Sequence, residues 1–372
     1  MRAIWSAAQI QGGRDYQEDF FAVVEHDCVH YRGETFQLDS GSLPKQQCLL
    51  VLADGMGGMG HGDLAAKITV EYFIKLFLLA VANGDPIESC FRKSAVGANQ
   101  AIADEVTENP GLEGMGATLI ALLWDGQNNQ IYWVSIGDSL VYQSSIDTPL
   151  QKLNEKHTWG AQAAHLVEAR KRYSEQELQN MDGALCSAVD GSTLRFMDLQ
   201  VKGLALNEGD FIVIASDGLE TIPEDQISLL TQSKQTTYLD VGTIEHKMDV
   251  VTSALSVLID TVEQAQVSGQ DNTTILVMSC FSDVTNKDKN KDEDRENTSS
   301  SSPSPSPSPS LGPDIIEPST LNKSSARVTD SPIVKNSRSK IRIALLVSLF
   351  FVTIAYVLTE HSDWIPKSLM IW

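Results

Sequence analysis

"LADGMGGMGHGD", residues 52–63, decides how this chain folds. An apolar run beginning at Leu49 ends there on Asp54, and five of the nine positions from 55 to 63 are glycine. Three readings compete for such a stretch: a tight hairpin turn, a phosphate-cradling loop, or a metal site whose ligand closes a strand. An Asp-Gly pair is a common hairpin signal. The residues that follow, "GDLAAKITVEYF" (62–73), nevertheless read as loop and helix and not as a returning strand.

The same pattern recurs along the chain. Gly137-Asp138 follows "IYWVSI" (131–136), Asp217-Gly218 follows "FIVIAS" (211–216), and Asp271-Asn272 precedes "TILVMSC" (274–280). A turn explains each site alone but not why strand after strand ends on a carboxylate. Ends of neighbouring strands converge, converging carboxylates repel, and a divalent cation held by oxygen relieves that repulsion. A nucleotide-binding loop would end in Gly-Lys-Ser/Thr, whereas this one ends "GHGD". Glycine after Asp54 lets the backbone come close enough for the Gly55 carbonyl to act as a ligand. The metal reading is preferred. Near the N-terminus, "GRDYQEDFF" (13–21) adds Glu18 and Asp19 as further oxygen donors and Arg14 as a planar fork suited to phosphate.

Charge and periodicity narrow the class. Of 372 residues, positions 1–281 hold 17 Lys and Arg against 38 Asp and Glu, which accounts for the whole net charge of −21. That balance disfavours a nucleic-acid partner and suits an enzyme that concentrates cations. The five cysteines form no CxxC pair, as in a reducing compartment. The start, "MRAIWSAAQIQGG", has neither the long apolar core nor the cleavage site of a signal peptide. Apolar runs at 48–53, 118–124, 131–136, 211–216 and 274–280 predict buried strands, and helical patterns lie near 64–81, 87–106, 160–171 and 246–266. Strands cluster and two long helices follow each other, which predicts an α+β layered fold. Residues 25–47 are polar and predict a strand pair with an exposed loop.

The composition changes at 282. Residues 282–342 are charged and then Ser/Pro-rich, a disordered linker in expectation. From Ile343 to Thr359 no residue is charged; Arg338, Lys340 and Arg342 precede the stretch, and Glu360 and Asp363 follow. This predicts a transmembrane helix over 343–359 with a short tail, 360–372, and the preceding side in the cytoplasm.

Six motifs in order, "GRDYQED", "LADGMGG", "GMGATLIALL", "IGDSLVY", "GDFIVIASDGLE" and "GQDNTTILVM", resemble the metal-dependent serine/threonine phosphatases of the type 2C group over roughly residues 5–280. The resemblance implies an α-β-β-α sandwich of two antiparallel sheets, monomeric as a catalytic domain (1–281), with the metal site at one edge. It implies that Asp54 bridges two Mn²⁺ or Mg²⁺ ions and that the Gly55 carbonyl binds the first. Asp217, Asp271 and Glu18 would serve the second, with Asp138 and Asp217 at a third, weaker site. Arg14 would grip phosphate, Asp19 would orient metal-bound waters, and a metal-bridging hydroxide would attack phosphorus in line. Met56 stands where many eukaryotic relatives carry His and matches the bacterial-type members, so a bacterial inner membrane is the expected location. Residues 154–193, at the variable flap, match only loosely.

The reading is a cytoplasm-facing phosphoserine/phosphothreonine phosphatase tethered near membrane proteins, such as a receptor-like Ser/Thr kinase or its target. The rivals are a catalytically inactive phosphatase-fold regulator and another two-metal phosphohydrolase. A cysteine phosphatase is disfavoured, because no cysteine opens a Cys-x5-Arg motif.

Overall fold

The computed structural model describes residues 1–31, 33–38, 41–57, 61–162 and 183–282. The predicted linker from 283, the predicted membrane helix 343–359 and most of the predicted helix 160–171 lie outside the described residues. Among the described residues no helix is long and apolar enough to cross a membrane.

Two antiparallel sheets form the centre. The first contains β1 (Arg2–Ile10), β10 (Leu140–Ser145), β11 (Thr148–Lys152), β13 (Phe211–Ala215) and β14 (Thr273–Phe281), in the order β1-β14-β13-β10-β11. The second contains β2 (Phe20–Glu25), β3 (Cys28–Tyr31), β4 (Glu34–Gln37), β5 (Gln47–Ala53), β8 (Leu119–Asp125), β9 (Gln130–Ile136) and β12 (Asp198–Ala205), in the order β12-β9-β8-β5-β2-β3-β4. The hairpin β3–β4 is the strand pair expected within 25–47. A two-residue strand β6 (Gly55–Met56) pairs with β7 (Gly116–Ala117). The segment 62–73 is helical from Gly62, as expected, and is preceded by this short strand, which does not return along β5. Two residues are too few to display an alternating pattern.

Period-two alternation sorts the side chains into three cores. Phe21, Val23, Leu50, Leu52, Ile120 and Leu122 point inward and meet Val141, Ile212, Ile214, Leu276 and Met278 of the other sheet. On the outer face of the seven-stranded sheet, Phe20, Ala22, Val24, Leu49 and Val51 pack under α1 (Gly62–Ala82) and α2 (Ile87–Glu108). Val213, Ala215, Ile275 and Val277 pack on α4 (Glu224–Asp240) and α5 (Ile244–Gln264). A four-residue helix α3 (Trp159–Gln162) precedes the undescribed segment.

The α1 sequence shows why it lies on the sheet. Ala66, Val70, Phe73, Phe77 and Leu78 recur at helical spacing and are buried, while Lys67, Glu71 and Lys75 fall on the exposed face. Burying Phe73 and Phe77 contributes about 1.5–3 kcal/mol each. The result is the four-layer α-β-β-α arrangement.

The register of both sheets brings the acidic strand ends to one place. Phe20 lies opposite Ala53, and Leu119 opposite Ile136. Ala215 lies opposite both Leu140 and Ile275. The connections leaving these ends therefore share one edge of the sandwich.

Candidate active site

At that edge a cavity of about 290 Å³ opens. Seven of the eight side chains or backbone groups singled out from sequence border it: Arg14, Glu18, Asp54, Gly55, Asp138, Asp217 and Asp271. The eighth, Asp19, is 2 % exposed and buried beside them. Arg14, Glu18 and Asp19 ride on the β1–β2 connection, and Asp54 and Gly55 on the β5–β6 junction. Asp138 sits in the β9–β10 turn, Asp217 opens a 3₁₀ turn after β13, and Asp271 precedes β14.

The electrostatics follow from putting carboxylates together out of water. Burial, then the charges of Asp19, Asp217, Asp138 and Asp271, push the Asp54 carboxyl well above the usual range. Burial and the neighbouring Asp138, Asp271 and Asp19 raise Asp217 to about 7. Burial raises Asp19 to about 6, opposed by hydrogen bonds donated by Thr274 and Ser216 to its Oδ2 at 2.6 and 2.8 Å. Asp138 is raised by burial, with Lys156 acting against it. Glu18 is raised by burial too, and the Gly62 N–H and Arg14 offset part of that.

Besides Lys156, Arg14 answers part of this charge. Arg14, half-exposed, makes an ion pair with Asp271, and the same hydrogen bond raises the guanidinium pKa further. Two acceptors have nothing: Asp19 Oδ1 and Asp217 Oδ1 are buried and lack any hydrogen-bond partner among the described residues. Among those residues no three His, Cys, Asp or Glu side chains are already closed around one point as ligands would be. Orphaned hard oxygen donors around a small polar cavity fit a divalent cation such as Mn²⁺ or Mg²⁺. The site passes that chemical test.

Several residues that hold the site were not read from sequence. Asn272 is buried; its Oδ1 accepts the Glu18 N–H at 2.8 Å, and its Nδ2 donates to the carbonyls of Gln11 (2.8 Å) and Tyr16 (2.9 Å). It fixes the loop that carries Arg14. Thr118 Oγ1 accepts the Asp54 N–H at 2.9 Å and lies 2.7 Å from Ser139 Oγ. His157 Nδ1 accepts the Gly137 N–H at 3.1 Å, and the His157 backbone N–H donates to the Gly137 carbonyl at 2.8 Å, fastening the turn that presents Asp138. Gly55 is sterically required: a Cβ there would lie 2.1 Å from the Gly62 carbonyl oxygen and 2.6 Å from that of Glu18. Met56 borders the cavity, as expected of its place in the loop; His61 precedes α1 and caps it with no side-chain bond.

With this geometry in place, the comparisons with known proteins are specific. A family model described as protein phosphatase 2C matches residues 30–256. The serine/threonine phosphatase stp of Listeria monocytogenes is 25 % identical over 249 residues, 65 % of this chain and 88 % of that one. The serine/threonine protein phosphatase PstP of Mycobacterium tuberculosis is 41 % identical over 97 residues, which are 25 % of this chain and 18 % of that one. The crystal structure of the serine/threonine phosphatase Stp1 from Staphylococcus aureus superposes with a TM-score of 0.52 at 19 % identity, covering 75 % of this chain and 95 % of that one. That last likeness concerns the fold.

Proposed function

This chain belongs to the protein phosphatase 2C family and is a protein-serine/threonine phosphatase, and from that premise we propose that it hydrolyses phosphoserine and phosphothreonine in the acidic cavity at the sandwich edge. The observation that carries the reading is the meeting of six carboxylates, two with orphaned oxygens, opposite a single guanidinium. Asp54, Asp217, Asp271, Glu18 and the Gly55 carbonyl would hold two Mn²⁺ or Mg²⁺ ions, with Asp138 and Asp217 at a third position. Such ions supply a water of lowered pKa and neutralise charge on a transferring phosphoryl group.

The protein's own groups do the rest. Arg14 exchanges Asp271 for the phosphate, to which its planar fork can donate two parallel hydrogen bonds. Asp19, held through Oδ2 by Ser216 and Thr274, keeps Oδ1 free to accept a hydrogen bond from water and orient it. Among the described residues bordering the cavity, the one hydroxyl is that of Thr118, already engaged with the Asp54 N–H and Ser139. Water, made acidic by the bound cations, is the nucleophile in this reading. Met56 has no proton to give the leaving oxygen.

Hydrolysis of p-nitrophenyl phosphate and a phosphothreonine peptide by the full chain tests this. Activity with Mn²⁺ or Mg²⁺, abolished by chelator and by Asp54→Asn, with a raised peptide KM in Arg14→Ala, is the expected result. A folded chain inactive with every divalent cation refutes it.

The tether is proposed on sequence grounds. The uncharged stretch 343–359 would anchor the chain in a membrane, with the phosphatase facing the cytoplasm and reaching about 45 Å r.m.s. on the linker 282–342. Phosphoproteins at that membrane, including a Ser/Thr kinase or its target, would be met at raised effective concentration. Recovery of the full chain in the soluble fraction of its host would overturn the tether.

A further inference from the structure

A second and larger cavity, about 690 Å³, shares a wall with the first. Its floor is the end of β1 and the turn through Gly12 and Gly13; its other side is the end of α5 and the loop to Gln270. Neighbouring residues of the chain divide between the two cavities. Gly13 borders the larger cavity and Arg14 the smaller, and Gln270 and Asp271 divide in the same way. The partition is also firmly built. Gly13 N–H donates to the Gln270 carbonyl at 2.8 Å, and Thr221 Oγ1 donates to Gln270 Oε1 at 2.7 Å. Gly12 has φ +61°, and a Cβ on it would lie 2.5 Å from the Asp271 carbonyl oxygen.

The chemistry of this space is that of a cation acceptor. It is bordered by four glutamines and by Glu263, and by no Lys, Arg or His. The Gln9 and Gln11 amide nitrogens are used internally, on the Asp19 carbonyl and Thr274 and on the Arg14 carbonyl. That leaves their oxygens turned to the role of acceptor. Glu263 and Gln266 are exposed; the Gln266 N–H donates to the Glu263 carbonyl at 3.3 Å, but neither side chain makes a hydrogen bond or ion pair among the described residues.

We propose that this cavity is a specificity subsite that receives a Lys or Arg side chain of the phosphoprotein substrate, two or three residues from the phosphorylated one, with Glu263 as its charge partner. The inference rests on the phosphatase reading. Adjacency supports the position: Arg14 and Asp271 border the active-site cavity while their chain neighbours Gly13 and Gln270 border this one, within reach of a substrate side chain a few residues along an extended backbone that advances about 3.3 Å per residue. Charge complementarity supports the occupant, since the acidic body of this chain draws basic segments and disfavours acidic ones. Glu263 acts on substrate selection and does not touch the phosphate.

The test compares three substrates with the full chain and Mn²⁺: p-nitrophenyl phosphate, a phosphothreonine peptide with Arg at the second and third positions on both sides, and the same peptide with Gln there. The expected kcat/KM preference for the Arg peptide is about three- to fivefold, the scale of an exposed ion pair. Glu263→Gln should remove it and Glu263→Lys invert it, mostly through KM, while p-nitrophenyl phosphate turnover stays at the wild-type value. Gln266→Lys, at the same mouth, should also weaken the preference. Equal rates on the two peptides, or a preference that survives Glu263→Lys, overturns the subsite alone. Wild-type inactivity on p-nitrophenyl phosphate with every divalent cation refutes the phosphatase reading, and the subsite with it.

Discussion

Replacing Asn272 by Ala removes the clamp on the Arg14 loop without touching any charged group. Three hydrogen bonds disappear, at 2.8, 2.8 and 2.9 Å, from a side chain that is 3 % exposed. At about 0.5–1.5 kcal/mol net for each bond, the loss sums to roughly 2–4 kcal/mol. For a folded body of this size each kcal/mol moves Tm by about 2–4 °C, so the midpoint should fall by roughly 4–16 °C. Thermal unfolding followed by near-UV circular dichroism reads this directly. The same variant should lose phosphopeptide kcat/KM, because the segment from Gln11 to Glu18 loses its side-chain clamp at the start of β14 and keeps the weaker hold of the Gly13–Gln270 backbone bond. Asn272→Asp sharpens the test. It keeps an acceptor for the Glu18 N–H but turns a carboxylate oxygen toward the carbonyls of Gln11 and Tyr16, beside Asp271. It should cost at least as much as Ala. An Ala variant with wild-type Tm and wild-type kcat/KM would refute the clamp.

Two other expectations follow from the same geometry. Without metal, the carboxyls of Asp19 and Asp217, raised to about 6 and about 7, bind more protons folded than unfolded. Their contribution to stability is thus complete below about pH 4 and lost as pH rises through 6 and 7. Metal-free Tm should fall between pH 5 and pH 8, and Mn²⁺ should raise it more at pH 8; a metal-free Tm that rises over that range contradicts the repulsion. Gly55→Ala forces a Cβ against two backbone oxygens that cannot step aside, so activity should be lost with a lowered Tm, and an active, fully stable Gly55→Ala protein would show that the junction is looser than described.

Much of the site was legible because its carboxylates stand at strand ends, and the strands announce themselves. "LLVLA" before Asp54 and "FIVIAS" before Asp217 are unbroken apolar runs, and antiparallel register then does the gathering. Arg14 and Glu18 were found through the company they keep in "GRDYQED". What was missed has a common physical character. Asn272, Thr118, Ser216, Thr274 and His157 act through uncharged side chains that hydrogen-bond across the fold, to residues as far as 265 positions away, and no periodicity encodes such a partner. The strand β1 was missed for another reason. As an edge strand with Ile4 as its one buried apolar side chain, "RAIWSAAQI" shows no clean alternation. The cavity beside α5 has no signature either, since glutamines in a loop read as solvent-facing polarity until β1 and α5 are brought together.

The account turns on the carboxylates being a cation site, and calorimetric titration of the full chain with Mn²⁺ at pH 8 measures that without any substrate. About two ions should bind per chain, with release of protons. Asp54→Asn, which removes the carboxylate proposed to be shared by the two ions while keeping the side chain's size, should abolish the tight binding. A folded wild-type chain that binds no Mn²⁺, or an Asp54→Asn variant that binds it as wild type does, would contradict the central claim.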